Sequence, residues 1–115
     1  MVLAESAMDA LSHAALFPDA TDQTRYVSLG GKPNSRQPAL LEAMIAKLPE
    51  NSEIVAAFDA DGAGRTLVEV ARAAVRRVAN QKERMNLIFQ SHLPEQEGED
   101  WNQVLQNLTC QKSNR

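Results

Sequence analysis

The fold is decided by one stretch of sequence, Ile54-Val55-Ala56-Ala57-Phe58-Asp59-Ala60-Asp61-Gly62-Ala63-Gly64-Arg65. Its apolar first half predicts a buried strand, and the carboxylates, glycines and helical pattern behind it predict a turn into a helix. In an α/β domain such a turn lies at the carboxyl edge of the sheet, where these folds place their ligands. Asp59 and Asp61 can there share one hard cation, and the amino end of the helix favours phosphate oxygens. The alternative is that Asp and Gly only mark a turn.

Length and composition predict one α/β domain. The chain has 115 residues, an ordinary hydrophobic share of 43% and a net charge of −3. This charge does not attract nucleic acid to the whole surface, so a polyanion contact would need local basic patches or bound metal. The single cysteine, Cys110, excludes an internal disulfide and fits a reducing compartment. Because the sequence has neither a membrane-spanning run nor a signal peptide, we expect a cytoplasmic location without membrane association.

The remaining patterns alternate between strands and helices. Strands are predicted over 2–4, 25–29, 54–58 and 85–89, and helices over 6–17, 38–48, 63–80 and 101–108. Ser6 and Asp9 form a capping box for the first helix, which is expected to bury Met8, Leu11 and Ala15. We assign residues 1–109 to the domain and 110–115 to a polar tail. The strand-like start at Val2 predicts a module of a longer protein.

This alternation predicts a three-layer α/β/α, Rossmann-like fold with a four-stranded parallel sheet and helices on both faces. Right-handed crossovers, with the strand before Glu5 beside the strand before Asp59, give the strand order 2-1-3-4. In this order a topological switch point lies between the two acidic strand ends.

Three motifs together resemble the toprim domain, the catalytic domain of bacterial primases, type IA and type II topoisomerases, and OLD-type and recombination-repair proteins. The first is Glu5 followed by Ser6-Ala7-Met8-Asp9, and the second is the segment from Asp59 to Arg65. The third is Leu93-Pro94, a polar spacer, and then Asp100-Trp101-Asn102 before an apolar helix. Its Asp-Trp-Asn form is closer to the toprim-like primases of plasmids and mobile elements. The resemblance covers nearly the whole chain.

The resemblance implies metal-assisted phosphoryl transfer on nucleic acid. Glu5 would be the general acid or base, and Asp59 and Asp61 would hold Mg²⁺ or Mn²⁺, with Asp100 and Asp9 extending the cluster. Asp9 is explained equally by the capping box, and Asp100 also fits a helix cap.

Two positions depart from the pattern of bacterial primases. Ser6 stands where they usually have glycine. Asn102 stands where they have a second aspartate, and its amide oxygen can coordinate a metal without adding negative charge. A second metal site is therefore expected to be weaker.

Six residues are candidates for contacts with nucleic acid or phosphate: Arg65, Lys32, Arg36, Gly62, Gly64 and Asn102. Arg65 occupies the first turn of its helix, where the dipole disfavours a cation, so a phosphate partner is a natural explanation. Lys32 and Arg36 fit backbone-phosphate contacts and equally an ordinary exposed loop. The two glycines are expected mainly to permit the turn and a close backbone approach. His13 and His92 lack metal-ligand spacing and are predicted to be structural.

The implied function is a Mg²⁺-dependent nucleotidyltransferase module of a DNA primase-like protein. Its expected partners are DNA, nucleotides, an RNA primer and the flanking domains of a longer chain. Two alternatives stay open: a toprim-type nuclease, and a catalytically degenerate module that binds nucleic acid. Retention of Glu5, Asp59 and Asp61 together argues against the degenerate module.

Overall fold

The computed structural model describes residues 1–18, 24–29, 37–49, 51–81 and 86–113. The four strands are β1 (Val2–Ala4), β2 (Tyr26–Ser28), β3 (Glu53–Ala56) and β4 (Ile88–Ser91). The four helices are α1 (Ala7–Leu16), α2 (Gln37–Ala46), α3 (Gly62–Gln81) and α4 (Trp101–Ser113). Strands and helices alternate along the chain, as the sequence predicts. None of the helices in the described part of the chain is long and apolar enough to cross a membrane.

The strands form one parallel sheet in the order β2-β1-β3-β4. Leu3 of β1 lies in register with Val27 of β2 and with Ala56 of β3, and Ile54 of β3 lies in register with Phe89 of β4. The predicted order 2-1-3-4 is therefore confirmed. The central pair, β1 and β3, carries the two acidic strand ends side by side.

Helices cover both faces of the sheet, which gives the three predicted layers. Alternate side chains of a strand point to opposite faces, and Leu3 and Val2 accordingly belong to two different core clusters. Leu3 packs with apolar side chains of α2 and α3, whereas Val2 packs with Ala57 and Trp101. Helices α2 and α3 contact each other, as do α1 and α4.

The buried face of α1 differs from the prediction. Met8 and Leu11 are 58% and 68% exposed, while Asp9, Ser12 and His13 are buried. The helical spacing of Met8 and Leu11 favours these apolar residues for the core. Polar groups can nevertheless be buried where they find hydrogen-bond partners. Helix α1 finds these partners in and beside α4, so its polar face turns inward.

Several element boundaries also shift. Helix α4 continues to Ser113 rather than ending at residue 108. Its apolar pattern predicts burial of Trp101, Val104, Leu105 and Leu108, but only Trp101 is fully buried. Strand β3 ends at Ala56, although Ala57 still donates its N–H to Leu3 O at 2.8 Å. Strand β4 begins at Ile88, later than predicted. These shifts leave the acidic residues at the same edge of the sheet.

Candidate metal centre

Three carboxylates converge where β1 and β3 end. Glu5 follows β1, and Asp59 and Asp61 follow β3. One carboxylate oxygen from each lies within 4.8 Å of the other two. Because parallel strands end at the same edge of a sheet, residues that are far apart in sequence meet here. The structure thus brings together the three residues that the sequence pattern singles out first.

A second group of three carboxylates adjoins the first. It consists of Asp9 from α1, Asp100 immediately before α4, and again Asp59, with one oxygen of each within 4.8 Å of the others. Asp59 is common to both groups. We call the five residues Glu5, Asp9, Asp59, Asp61 and Asp100 the acidic cluster.

Backbone hydrogen bonds fix the turn that carries Asp59 and Asp61. Between them, Ala60 donates its N–H to Glu99 O at 2.9 Å and accepts a bond from the N–H of Gly98 at 2.6 Å. Asp61 Oδ1 accepts a hydrogen bond from the N–H of Gly64 at 2.7 Å and thereby caps α3. The β4–α4 loop therefore holds the acidic turn in place from outside the sheet.

Gly64 permits the close approach that the turn requires. A Cβ atom added at this position would lie 2.0 Å from the carbonyl oxygen of Asp59. The predicted close approach is confirmed at Gly64. The close approach that the sequence also predicted for Gly62 is wrong, because a Cβ added there would meet nothing within 4 Å. The start of α3 is thus packed against the Asp59 backbone at Gly64 and open at Gly62.

Asp59 has the most perturbed carboxyl group of the acidic cluster. Burial, a side-chain hydrogen bond with Glu5 and the charges of Glu5, Asp9 and Asp61 raise the pKa of Asp59 to about 8. Its backbone N–H donates to Glu5 Oε2 at 3.1 Å. Its Oδ1 is buried and has no hydrogen-bond partner within the described residues. Because buried polar atoms are as a rule hydrogen-bonded, this oxygen is a candidate ligand atom.

Asp9 takes part in both the helix cap and the acidic cluster. The Ser6 hydroxyl accepts a hydrogen bond from the N–H of Asp9 at 3.1 Å, as the capping box predicts. Asp9 Oδ1 accepts a hydrogen bond from the N–H of Asn102 at 3.2 Å. Burial raises the pKa of Asp9, assisted by the charges of Asp100 and Glu5 and opposed by the bonds from Asn102 and Ser6. The two explanations of Asp9 are therefore compatible.

Asp100 likewise caps a helix at the edge of the cluster. Its Oδ1 accepts from the N–H of Gln103 at 2.8 Å, while its own N–H donates to Gln103 Oε1 at 3.1 Å. This reciprocal pair is a capping box for α4. Asn102 turns its side-chain oxygen toward the Ser12 hydroxyl, at 3.4 Å. Its backbone, rather than its amide group, bonds to the acidic cluster.

The acidic cluster fits a hard divalent cation. Its donors are carboxylate oxygens, the ligands that Mg²⁺ and Mn²⁺ prefer. The buried Oδ1 of Asp59, which has no hydrogen-bond partner among the described residues, can serve as a ligand atom, and a cation would offset the burial and the repulsion that raise the pKa of this carboxyl group. A cation bound here would displace the proton from Asp59, so binding should release protons.

Of the basic residues predicted to contact phosphate, Arg65 is the one that lies within the described part of the chain. Arg65 forms a two-pronged ion pair with Glu97, with both N···O distances at 2.9 Å, on an exposed surface. The ion pair lowers the pKa of Glu97 and raises that of Arg65. Glu97 was not predicted as a partner, although the acidic run 95–100 beside the third motif was a usable signal. Lys32 and Arg36 lie outside the described residues.

A histidine pair lies on the same buried face of α1 as Asp9, one helical turn further along the chain. His13 Nε2 and His92 Nδ1 are 2.9 Å apart, and both rings pack with Phe17 and Trp101. The structural role predicted for the two histidines agrees with this packing. The pairing itself could not be predicted, because 79 residues separate them and neither has a neighbouring motif.

Acid should destabilise the protein through His13. Burial, helped by the nearby His92, lowers the pKa of His13 from 6.5 to about 4, so the unfolded chain binds this proton more tightly. The stabilisation is present above pH 6.5 and is lost as the pH falls toward 4. From pH 7 to pH 5 we expect the wild type to lose about 1–2 kcal/mol in unfolding free energy relative to His13→Phe, measured by urea titration of both proteins, because the raised pKa of Asp59 changes the stability of both in the opposite direction. His13→Phe keeps an aromatic ring and should flatten this dependence; an equal acid sensitivity in the variant would contradict the assignment.

Comparison with known proteins identifies the family of the chain. The model of the toprim-like family matches residues 2–105, which include all five residues of the acidic cluster. No match was found among curated proteins, and none among solved structures. The toprim match supports a metal-dependent module that acts on nucleic acid, with acidic residues that could bind Mg²⁺. By its sequence match, its sheet order and its acidic strand ends, the chain belongs to the toprim-like family.

Proposed function

We propose that the chain is the catalytic module of a DNA primase-like protein, which forms phosphodiester bonds with the help of Mg²⁺ or Mn²⁺. One observation carries the proposal: Asp59 belongs to two carboxylate groups at the switch point of the sheet, with one buried oxygen unpartnered among the described residues. The Asp100-Trp101-Asn102 ending supports the primase-like assignment over a nuclease. We further propose that residues 1–109 form the catalytic unit of a longer cytoplasmic protein.

The acidic cluster offers two adjacent places for cations. Asp59 and Asp61, with Glu5 beside them as the base, form one, and Asp9, Asp59 and Asp100 form the other. Sites with two divalent ions hold them about 3.5–4 Å apart through shared carboxylates, which is the part that Asp59 would play. When bound, the cations neutralise the charge of the phosphate oxygens. Asp61 and Asp100 are already oriented by the helices that they cap.

Glu5 is the proposed general base. It is half-buried, and its Oε2 is oriented by the N–H of Asp59 at 3.1 Å. In bond formation it accepts the proton of the attacking hydroxyl while the new P–O bond forms and the bond to the leaving oxygen breaks. In strand cleavage by the same site, it would act on water instead. Both reactions therefore need the same carboxylate.

Nucleic acid is proposed to lie along the start of α3. The open space above Gly62 allows a phosphate backbone to approach the first turn of the helix. Arg65 would exchange Glu97 for a phosphate when nucleic acid binds, since both partners are exposed. Gly64, Asn102, Lys32 and Arg36 are the other proposed contacts along this edge of the sheet.

A calorimetric titration of Mn²⁺ and Mg²⁺ tests the proposal. Asp61→Asn is a suitable variant because asparagine retains the oxygen that caps α3 and removes only the charge. We expect saturable binding by the wild type and at least about tenfold weaker binding by the variant. Equal binding by the two proteins, or none by the wild type with and without single-stranded DNA, would overturn the proposed metal centre.

Glu5→Gln should separate proton transfer from metal binding. Glutamine retains an acceptor for the N–H of Asp59 but cannot take up a proton. We expect nearly unchanged Mn²⁺ affinity and a loss of about 100-fold in turnover. Primer synthesis from nucleoside triphosphates on single-stranded DNA and strand cleavage should be assayed on the same samples. Loss of metal binding in this variant would assign Glu5 as a ligand instead, and cleavage without synthesis would favour the nuclease.

A further inference from the structure

A groove lies beside α4, separate from the acidic cluster. It is bounded by the end of α1, the β4–α4 loop and the side of α4 that carries Trp101, Val104 and Leu108, and it encloses about 470 Å³. Its apolar lining includes Phe17 and Leu108, which are 45% and 41% exposed, together with the half-buried Leu93 and Val104. Trp101 lies at its floor. Large apolar side chains that converge on a concave surface are typical of a binding site.

The charged side chains described along the groove are all acidic. Glu95 and Glu99 lie in its lining, and none of the side chains described along it is lysine or arginine. His92, the one histidine of the lining, has its pKa lowered by burial and is therefore neutral at pH 7. The rim thus repels phosphates and attracts cations.

From this combination we infer that the groove docks a partner protein through a short segment in which apolar side chains alternate with lysine or arginine. The apolar side chains would enter between Phe17, Val104 and Leu108, and the basic side chains would pair with Glu95 and Glu99. The volume suits one or two large side chains. Asn107 Nδ2 donates to Glu99 Oε2 at 3.2 Å and so orients that carboxylate at the rim, while Gln96, also in the lining, offers hydrogen bonds to the backbone of the segment.

The groove is connected to the acidic turn. The loop that forms its rim bonds to Ala60 through Glu99 O and the N–H of Gly98, and Ala60 lies between Asp59 and Asp61. A bound segment would therefore touch the loop that holds two of the proposed metal ligands. The docking itself is independent of metal and of catalysis.

Trp101 is the sole tryptophan of the chain, so its fluorescence reports on the groove. The probe is a short synthetic peptide with one leucine and one phenylalanine between lysines. Two control peptides replace the apolar residues by serine or the lysines by glutamate. We expect the first peptide to bind with a Kd of about 10–100 µM and each control to bind at least about tenfold more weakly. No saturation up to about 1 mM, or equal binding of all three peptides, would overturn the proposal.

Variants locate the binding. Glu95→Lys and Leu108→Ser change exposed side chains of the groove and should each weaken binding of the first peptide at least about fivefold. Leu40→Ser is the matched control, since Leu40 is 60% exposed on α2 at the opposite face of the sheet, and it should have no effect. Competition by single-stranded DNA at the groove would make nucleic acid the occupant. If the protein dimerises and Leu108→Ser abolishes the dimer, the occupant of the groove would be a second copy of the chain. Either result overturns the inference.

Discussion

Asp59→Asn is expected to abolish divalent-cation binding and, in the absence of metal, to make the protein more stable. Asp59 is the carboxylate common to both halves of the acidic cluster, so its charge contributes to each proposed cation position. We expect a loss of at least about 1000-fold in Mn²⁺ affinity, equivalent to about 4 kcal/mol. The same substitution removes a buried carboxyl group from the field of Glu5, Asp9 and Asp61, which should raise the unfolding free energy by about 1 kcal/mol.

The gain in stability should depend on pH in a defined direction. Because the folded-state pKa of Asp59 is raised from 3.8 to about 8, the wild type binds this proton more tightly when folded. Its stability from this group is fully present below pH 3.8 and is lost as the pH rises through 8. Asp59→Asn has no such dependence, so its advantage over the wild type should be absent near pH 4 and largest above pH 8. Urea titrations in a chelator, at a series of pH values, measure this difference.

Glu95→Gln is the matched control for Asp59→Asn. It also replaces one carboxylate by an amide, but at an exposed position outside the acidic cluster. It should leave both metal affinity and the pH profile of stability unchanged. Saturating Mg²⁺ should make the wild type more stable than Asp59→Asn, because the wild type binds the ion and Asp59→Asn does not. If Asp59→Asn unfolds at neutral pH, the carboxyl group serves the structure rather than metal binding.

The sheet and the acidic cluster could be predicted from sequence because both depend on short patterns with strong topological consequences. Apolar runs at 2–4 and 54–58 lead directly into Glu5 and Asp59, and parallel strands bring such ends to one edge. The capping box at Ser6 and Asp9 is likewise a local signal, and the predicted hydrogen bond is present. Predicting these features does not require knowing which side chains meet across the sheet.

The contacts of α1 with α4 and with the loop before α4 could not be predicted, because they depend on partners far away in sequence. Ser12 approaches Asn102, and His13 pairs with His92, so a polar face of α1 is buried where the periodicity of Met8 and Leu11 favoured an apolar one. The ion pair of Arg65 and Glu97 was missed although the acidic run 95–100 signals carboxylates near the third motif, because the sequence does not say which of them Arg65 meets. Long-range packing of side chains decides all three contacts.

Gly64→Ala should be strongly destabilising and should also disturb the acidic turn. The new methyl group would lie 2.0 Å from the carbonyl oxygen of Asp59, which is backbone and cannot swing away as a side chain could. The start of α3 and the Asp59 turn would have to separate, at a cost of about 3 kcal/mol in unfolding free energy. The higher helix propensity of alanine, worth about 1 kcal/mol, offsets only part of the strain. Because the displaced residue carries the shared carboxylate, Mn²⁺ affinity should fall together with stability.

Gly62→Ala is the matched control, two residues earlier in the first turn of the same helix. An added Cβ meets nothing within 4 Å there, so we expect stability unchanged or raised by about 0.5–1 kcal/mol and metal binding retained. Both variants change glycine to alanine in one helix, and they differ mainly in their distance from the Asp59 backbone. Urea unfolding followed by Trp101 fluorescence measures the difference directly. Equal stability of the two variants would mean that α3 does not pack on the acidic turn as closely as this geometry requires.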